Sequence, residues 1–298
     1  MKMVGVLRTS LTDTKWYSEF TTQGILDYPN DELFDYARWL PDSFELDSLR
    51  HLDFEAPSFK VGNQHESLAA ILRHTPAVTR LRVSVGHYGR HVVPIIRQSL
   101  PQLKHLHLPD ARMENIASIV KFCPGIESCR LGEDNGKVCM KRLPEFSPNS
   151  KHVTIDRVLE GLLPLRLTLR DLDADWQLLY ARTIHHLSLL SRFSALRSLR
   201  LVFVEWPPGD TDTLPEMLPP GIESLCFGGI DIEFHTIAIQ VRDYILKGGL
   251  QRLKLFRYVI MDVWTEREQD ELRTLIASVW DGTDVECRDE WPPWQRSF

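Results

Sequence analysis

This 298-residue chain lacks several features that would assign it to a functional class. No run of about 18 apolar residues occurs, which argues against a membrane-spanning helix. The opening Met1–Arg8 has too short an apolar stretch for a secretory signal. There is no Asn-x-Ser/Thr sequon. The cysteines are few and odd in number, five in all, and Cys123, Cys129 and Cys226 fall within or beside apolar segments. They read as small core residues in a reducing compartment, so cytoplasm or nucleus is the expected location. Basic residues are not in excess: 35 Lys and Arg stand against 41 Asp and Glu, a net charge of −6. The chain as a whole has no electrostatic drive toward nucleic acid.

Catalytic signatures are missing as well. Asp171-Leu-Asp173-Ala-Asp175 begins like a calcium loop, but Trp176 stands where the loop needs glycine and Arg182 where it needs glutamate. Gly132-Glu-Asp-Asn-Gly136-Lys137 is one residue short of a phosphate-binding loop, and Val138 replaces the required hydroxyl. Neither Gly-x-Ser-x-Gly nor Cys-x-x-Cys is found. His105 and His107 share one side of a strand pattern, but Arg80 and Arg82 in the neighbouring unit disfavour a metal there. His185-His186 reads as one packed and one solvated imidazole. The expectation is a protein that is not an enzyme and holds no metal or cofactor.

What the chain does have is a recurring motif of three aliphatics, spaced by two residues and then by one. It reads Leu49-Arg-His-Leu52-Asp-Phe54, Val78-Thr-Arg-Leu81-Arg-Val83 and Leu103-Lys-His-Leu106-His-Leu108. It returns as Ile126-Glu-Ser-Cys129-Arg-Leu131, Leu162-Leu-Pro-Leu165-Arg-Leu167 and Leu196-Arg-Ser-Leu199-Arg-Leu201, then at Ile222–Phe227 and Leu250–Leu255. The first aliphatics lie 29, 25, 23, 36, 34, 26 and 28 residues apart, a period that signals stacked repeats. The last two aliphatics of each unit alternate with polar residues, as in a half-buried strand. Between units the spacing turns helical at Glu66–Arg73, Asn115–Phe122, Gln177–Phe193, Glu233–Lys247 and Glu266–Val279. Pro76, Pro101, Pro124 and Pro220 each sit two residues before a first aliphatic and end the preceding helix.

The pattern resembles the leucine-rich repeat superfamily, above all the irregular, ribonuclease-inhibitor-like repeats common in fungal proteins, many of which are F-box proteins. The resemblance covers the stretch from about Leu46 to Phe256. It departs from the consensus in one way: the Asn or Cys three residues after the third aliphatic is mostly absent. The resemblance implies an α/β leucine-rich-repeat solenoid of about eight irregular repeats. A curved parallel sheet would form its concave side and helices and loops its convex side. It also implies a protein-binding role, including that of a substrate-recognition component of a ubiquitin ligase. Tyr28–Pro41 resembles the opening of an F-box, but the first strand motif at Leu49 leaves too little chain for its helices. The cullin-ligase adaptor is therefore a doubtful partner on sequence grounds.

Three segments follow: an N-terminal cap at 1–45, repeats at 46–260, and a C-terminal helix with a Trp-rich cap at 261–298. Val285–Cys287 reads as an edge strand, and Trp291-Pro-Pro-Trp294 as an end plug or a docking tail. Gly132–Gly161 and the proline-rich Trp206–Gly221 read as loops, open either to solvent or to a partner.

One constellation points to binding. The residue between the last two aliphatics faces away from the core. Through the eight units it is Asp53, Arg82, His107, Arg130, Arg166, Arg200, Cys226 and Lys254, and the column two residues earlier adds His51, Arg80, His105 and Arg252. Neighbouring strands lie about 4.8 Å apart, so these cations would form a stripe that repels itself unless an anion offsets it. Arginine forks fit carboxylate or phosphate, so an acidic or phosphorylated protein segment is the expected partner. Nucleic acid is the alternative, disfavoured by the shortage of aromatics on that face. Against both stands internal pairing with Glu55, Glu127, Asp171, Glu205 or Glu223.

Overall fold

The computed structural model describes residues 6–10, 50–55, 72–83, 89–109, 113–132, 155–174, 184–205, 211–230, 233–260 and 266–289. The chain divides into two units, Met1–Cys129 and Arg130–Phe298, built on one plan. The N-terminal unit contains strands β1 (Val6–Ser10), β2 (His51–Glu55), β3 (Arg80–Val83) and β4 (His105–Leu108), with helices α1 (Gly89–Ser99) and α2 (Met113–Phe122). The strands run parallel and pair in chain order. Strand β5 (Ser128–Leu131) carries the chain across the division.

The C-terminal unit begins with α3 (Ile155–Leu162) and continues through β6 (Asp171–Ala174), β7 (Ser198–Glu205), α4 (Leu214–Met217) and β8 (Ser224–Ile230). It ends with α5 (Phe234–Leu246), β9 (Leu255–Ile260), α6 (Glu266–Val279) and β10 (Glu286–Asp289). Here β6 pairs with β7, β7 with β8, β8 with β9 and β9 with β10, all parallel. Parallel strands in chain order, joined by helical connections and repeating the same buried aliphatics, define a leucine-rich-repeat solenoid of the α/β class.

A recurring turn sets the register. The N–H of the first aliphatic of a unit donates to the carbonyl three residues back, from Val78 to Thr75, Leu103 to Leu100, Ile126 to Cys123, Leu196 to Phe193, Ile222 to Pro219 and Leu253 to Leu250, at 2.9–3.3 Å. Pro76, Pro101, Pro124 and Pro220 occupy the second position of these turns, where a φ fixed near −65° and a missing N–H both suit. The next carbonyl then serves the following repeat. Arg50 O accepts the N–H groups of Thr79 and Arg80, Thr79 O those of Lys104 and His105, and Lys104 O those of Glu127 and Ser128. Arg170, Arg197 and Glu223 do the same in the C-terminal unit. Each repeat thus closes the backbone hydrogen bonds of its neighbour.

Behind the strands the core is aliphatic. Leu81, Leu106, Leu199 and Leu225 are buried, with Ile96 from α1, Ile116 and Ile119 from α2, and Ile237 and Val241 from α5. At the C-terminal end Trp280 lies against Phe256, ring centroids 5.0 Å apart. Helix α5 closes with Gly249 donating to Tyr244 O and Gly248 to Ile245 O, both at 2.9 Å, with Gly248 at φ +93. That doubly bonded end needs a left-handed residue where glycine stands.

Several expectations are corrected. The fifth repeat does not use Leu162–Leu167 as a strand: those residues end α3 and form a 3-10 turn at Leu163–Leu165, leaving Leu167 exposed. The strand motif there is Leu169-Arg-Asp-Leu172-Asp-Ala174, whose three aliphatics are buried. The last repeat slips by three residues, because β9 aligns Phe256 with Leu225 and Tyr258 with Phe227. Its motif is Leu253-Lys-Leu-Phe256-Arg-Tyr258. Ile184–Arg192, expected within a long helix, is a 3-10 helix. Its buried residues Ile184, Leu187 and Leu190 recur every third residue, the 3-10 period.

Both expected loops carry structure. Gly132–Gly161 contains most of α3, and Trp206–Gly221 contains a 3-10 turn at Thr211–Thr213 followed by α4, with Leu214, Met217 and Leu218 buried. The stretch 1–45 supplies β1, in register with β2. The edge strand is Glu286–Asp289, one residue beyond its expected start. Tyr28–Pro41, Glu66–Ile71, 133–154, Trp264 and Trp291–Trp294 lie outside the described residues. No helix among the described residues is long and apolar enough to cross a membrane.

Candidate functional site

Alternation along each strand sends one set of side chains into the core and the other to the opposite, open face of the sheet. In the N-terminal unit the buried set includes Leu52, Leu81, Val83, Leu106 and Leu108. The open set forms two columns. His51, Arg80 and His105 are in register in one, and Asp53, Arg82 and His107 in the other. Arg80 is exposed; His51, Arg82, His105 and His107 are half-buried. Strands β3 and β4, Arg-Leu-Arg-Val and His-Leu-His-Leu, contribute no acidic residue of their own.

In the C-terminal unit the middle column reads Arg130 on β5, Asp173 on β6, Arg200 on β7, Cys226 on β8 and Arg257 on β9. Asp173 bridges its two neighbours. Arg200 Nη1 donates to Asp173 Oδ1 at 3.0 Å, and Arg130 Nε lies 3.3 Å from Asp173 Oδ2. Arg257 Nη2 donates to Ser224 Oγ at 3.2 Å. Cys226, between Arg200 and Arg257 in register, is fully buried.

Three of the expected site residues are placed elsewhere. Arg166 follows the 3-10 turn and is exposed. Arg252 belongs to the turn closed by Leu253, and Lys254 precedes β9; both are exposed. In the corrected register the places of Arg166 and Lys254 belong to Asp173 and Arg257, and that of Arg252 to Leu255. Sequence reasoning passed over Asp173 and Arg257. Asp173 was visible only as part of a failed calcium loop, and the aromatic aliphatic-equivalents Phe256 and Tyr258 hid Arg257. The opening residues of the calcium-loop pattern, 171–174, form a strand, and the rest of the pattern lies outside the described residues.

Just ahead of the strands, a separate polar column reinforces the repeats. Lys104 Nζ donates to Glu127 Oε1 at 2.8 Å, Arg197 Nη1 donates to Gly221 O at 3.1 Å, and Gln102 Nε2 donates to Pro76 O. His186 Nδ1 stands 3.7 Å from Asp156 Oδ1. Burial raises the pKa of three ionisable groups in or beside the core. Burial pushes the Cys123 thiol up to about 11. Burial, then the Asp289 charge, pushes Cys287 up to about 12. Tyr258 is raised chiefly by burial and further by Asp289 and Cys287, with Arg273 opposing. Among the described residues, no group of three or more His, Cys, Asp or Glu is placed to hold a metal ion.

No family model matches the chain, and no curated protein matches it in sequence. Among solved structures the chain is similar to the leucine-rich repeat-containing protein LegL7 from Legionella pneumophila, at 14% identity and a TM-score of 0.48, covering 82% of this chain and 75% of that one. The fold assignment rests on the strand register and the repeated turn.

Proposed function

We propose that this chain is a non-catalytic interaction scaffold whose open sheet face receives an acidic or phosphorylated segment of a partner protein. The supporting observation is the register of cationic and imidazole residues on adjacent strands, Arg80 with His105 and Arg82 with His107, in a row where Asp53 is the acidic residue in register with Arg82. Guanidinium groups at this spacing offer forked donors to a carboxylate or phosphate laid across the strands. Arg130, Arg200 and Arg257 extend the same chemistry in the C-terminal unit, in part engaged by Asp173. A role in a ubiquitin ligase depends on Tyr28–Pro41 working as a box and belongs to the proposal only through that resemblance.

The test compares tagged wild-type chain with an R80E/R82E variant in affinity capture from native cells, read by mass spectrometry. A protein retained by the wild type and lost from the variant supports the reading. The same recovery from both removes the β3 cations from it. Recovery of the cullin-ligase adaptor would make the repeats a degradation receptor. For nucleic acid, affinity should fall steeply with salt, whereas a protein partner with an apolar core tolerates salt better.

A further inference from the structure

Strand β10 lies at one end of the strand order. Among the described residues it pairs with β9 alone, from Glu286 with Leu255 to Asp289 with Tyr258. The N–H of Glu286 donates to Lys254 O at 2.8 Å, so Glu286 turns its backbone groups toward β9. Along a parallel strand these groups alternate in direction. Arg288 therefore also bonds toward β9, and Cys287 points its N–H and C=O outward, to the edge. Among the described residues no hydrogen-bond partner meets Cys287 there. A strand edge of this kind is a template for another strand.

The side chains narrow what that strand can be. Glu286 and Arg288 lie two residues apart on one face, are exposed, and bond to each other. Two identical edges related by a twofold axis pair antiparallel. Centred on Cys287, such a pair sets the two copies of Cys287 opposite each other and uses both of their outward backbone groups. It also sets Glu286 of each copy opposite Arg288 of the other, at the closer spacing of non-hydrogen-bonded pairs.

Neighbouring registers lose this match. Sliding the copies by two residues one way sets Glu286 against Glu286, and the other way Arg288 against Arg288. The charge pattern thus selects the central register. The existing contact between Glu286 and Arg288 is an exposed one, with 54% and 62% of their side-chain surfaces accessible. Exchanging it for a contact across the twofold axis therefore costs little.

We infer that β10 is a docking edge for a second copy of this chain, joined as a symmetric antiparallel strand pair centred on Cys287. This is independent of the function proposed above. A strand of four residues buries far less than the roughly 1,200 Å² at the lower end of stable interfaces. The dimer is accordingly weak and reversible, forming in the range of about 10–100 µM.

The test is sedimentation velocity on the full chain from about 1 to about 200 µM. Wild type should shift reversibly from monomer to dimer. E286R sets Arg against Arg at both symmetry-related positions, and R288E sets Glu against Glu; each should weaken association by about tenfold or more. An equimolar mixture of the two variants restores opposite charges at both positions and should associate as wild type does.

A wild type that stays monomeric throughout overturns the inference. So do single variants that associate like wild type, or a mixture that stays monomeric. A labelled peptide copying Asp284–Glu290 that binds a chain which is itself monomeric would assign the edge to a segment of another protein and overturn the choice of a second copy. Circular dichroism checks folding. If either single variant fails to fold, E286R/R288E takes its place: it pairs the same charges in swapped order and should associate as wild type does, and a monomer overturns the inference.

Discussion

The two units follow one structural rule and differ in what they do with charge. In each, buried aliphatics alternate with open-face residues along parallel strands. In the N-terminal unit the open positions of β3 and β4 are Arg80, Arg82, His105 and His107, so positive and protonatable groups accumulate. In the C-terminal unit one residue, Asp173, turns the same arrangement into a compensated clamp between Arg130 and Arg200. The difference teaches that repeat register places a charge but does not decide its work. Each unit has one aspartate in register with an arginine, Asp53 with Arg82 and Asp173 with Arg200, and the units differ in what flanks that row: His51 and His105 beside Arg80 in one, Ser198 beside Asp171 in the other.

The comparison breaks first if the cores are not equivalent. Leu106→Ala in the N-terminal unit and Leu199→Ala in the C-terminal unit remove leucines that are 2% and 0% exposed, and each should cost about 2–5 kcal/mol in denaturant unfolding. A loss under about half a kcal/mol for either would mean that its side chain does not occupy a packed repeat position. Gly228→Ala probes packing between strands in the C-terminal unit alone. An added Cβ would lie 2.7 Å from Val259 Cβ and 3.1 Å from the Val202 methyls, so a loss of about 1–3 kcal/mol is expected. A neutral result would show that β7, β8 and β9 are looser than this.

The electrostatic half is sharpened by Asp173→Asn. Asp173 is about one quarter exposed, as 28% of its side-chain surface remains accessible, so the stability change should stay under about 1 kcal/mol. Its effect on binding should be larger. Removing the charge of Asp173 from between Arg130 and Arg200 should strengthen retention of an acidic peptide, and an unchanged affinity would show that the clamp takes no part in binding.

The smallest effect is alkaline. Cys123 in one unit, and Cys287 with Tyr258 in the other, are raised by burial. In the unfolded chain these groups ionise at lower pH, so above their ordinary range the unfolded state holds fewer protons and stability falls as pH rises. The decline should begin near the ordinary thiol value of 9.0 and run toward about 11 for Cys123 and about 12 for Cys287. Unfolding midpoints across that interval check it: Cys287→Ser should flatten the slope, and a midpoint that does not move would remove the burial argument.

Much of the fold was legible because the period repeats. Wherever a proline sits two residues before the first aliphatic, at Val78, Leu103, Ile126 and Ile222, the assigned register holds, since proline locks the turn that precedes the strand. Both slipped frames lack that proline. Leu162–Leu167 imitated the motif while the true strand ended in Ala174, and Leu250–Leu255 imitated it while the true strand used Phe256 and Tyr258. Helices α2, α5 and α6 were readable from their apolar spacing within a residue or two. The 3-10 helix Ile184–Arg192 was visible in principle as an apolar period of three.

The site was less legible than the fold. Arg80, Arg82, His105, His107, Arg130 and Arg200 follow from strand alternation, which is a local rule. Asp173 does not. Its place between two arginines depends on which segment of a long, punctuation-poor interval pairs with β7, and only the stacked backbone settles that.

The sequence by itself determined the class of fold, because burying an aliphatic stripe every few dozen residues leaves stacked parallel strands as the solution that satisfies the backbone. It also placed Arg80, Arg82, Arg130 and Arg200 at alternating strand positions. Only the tertiary structure decided which charges meet. An ion pair depends on distances of about 3–4 Å between strands far apart in the chain, and a slip of three residues, invisible to local pattern, exchanges one partner for another.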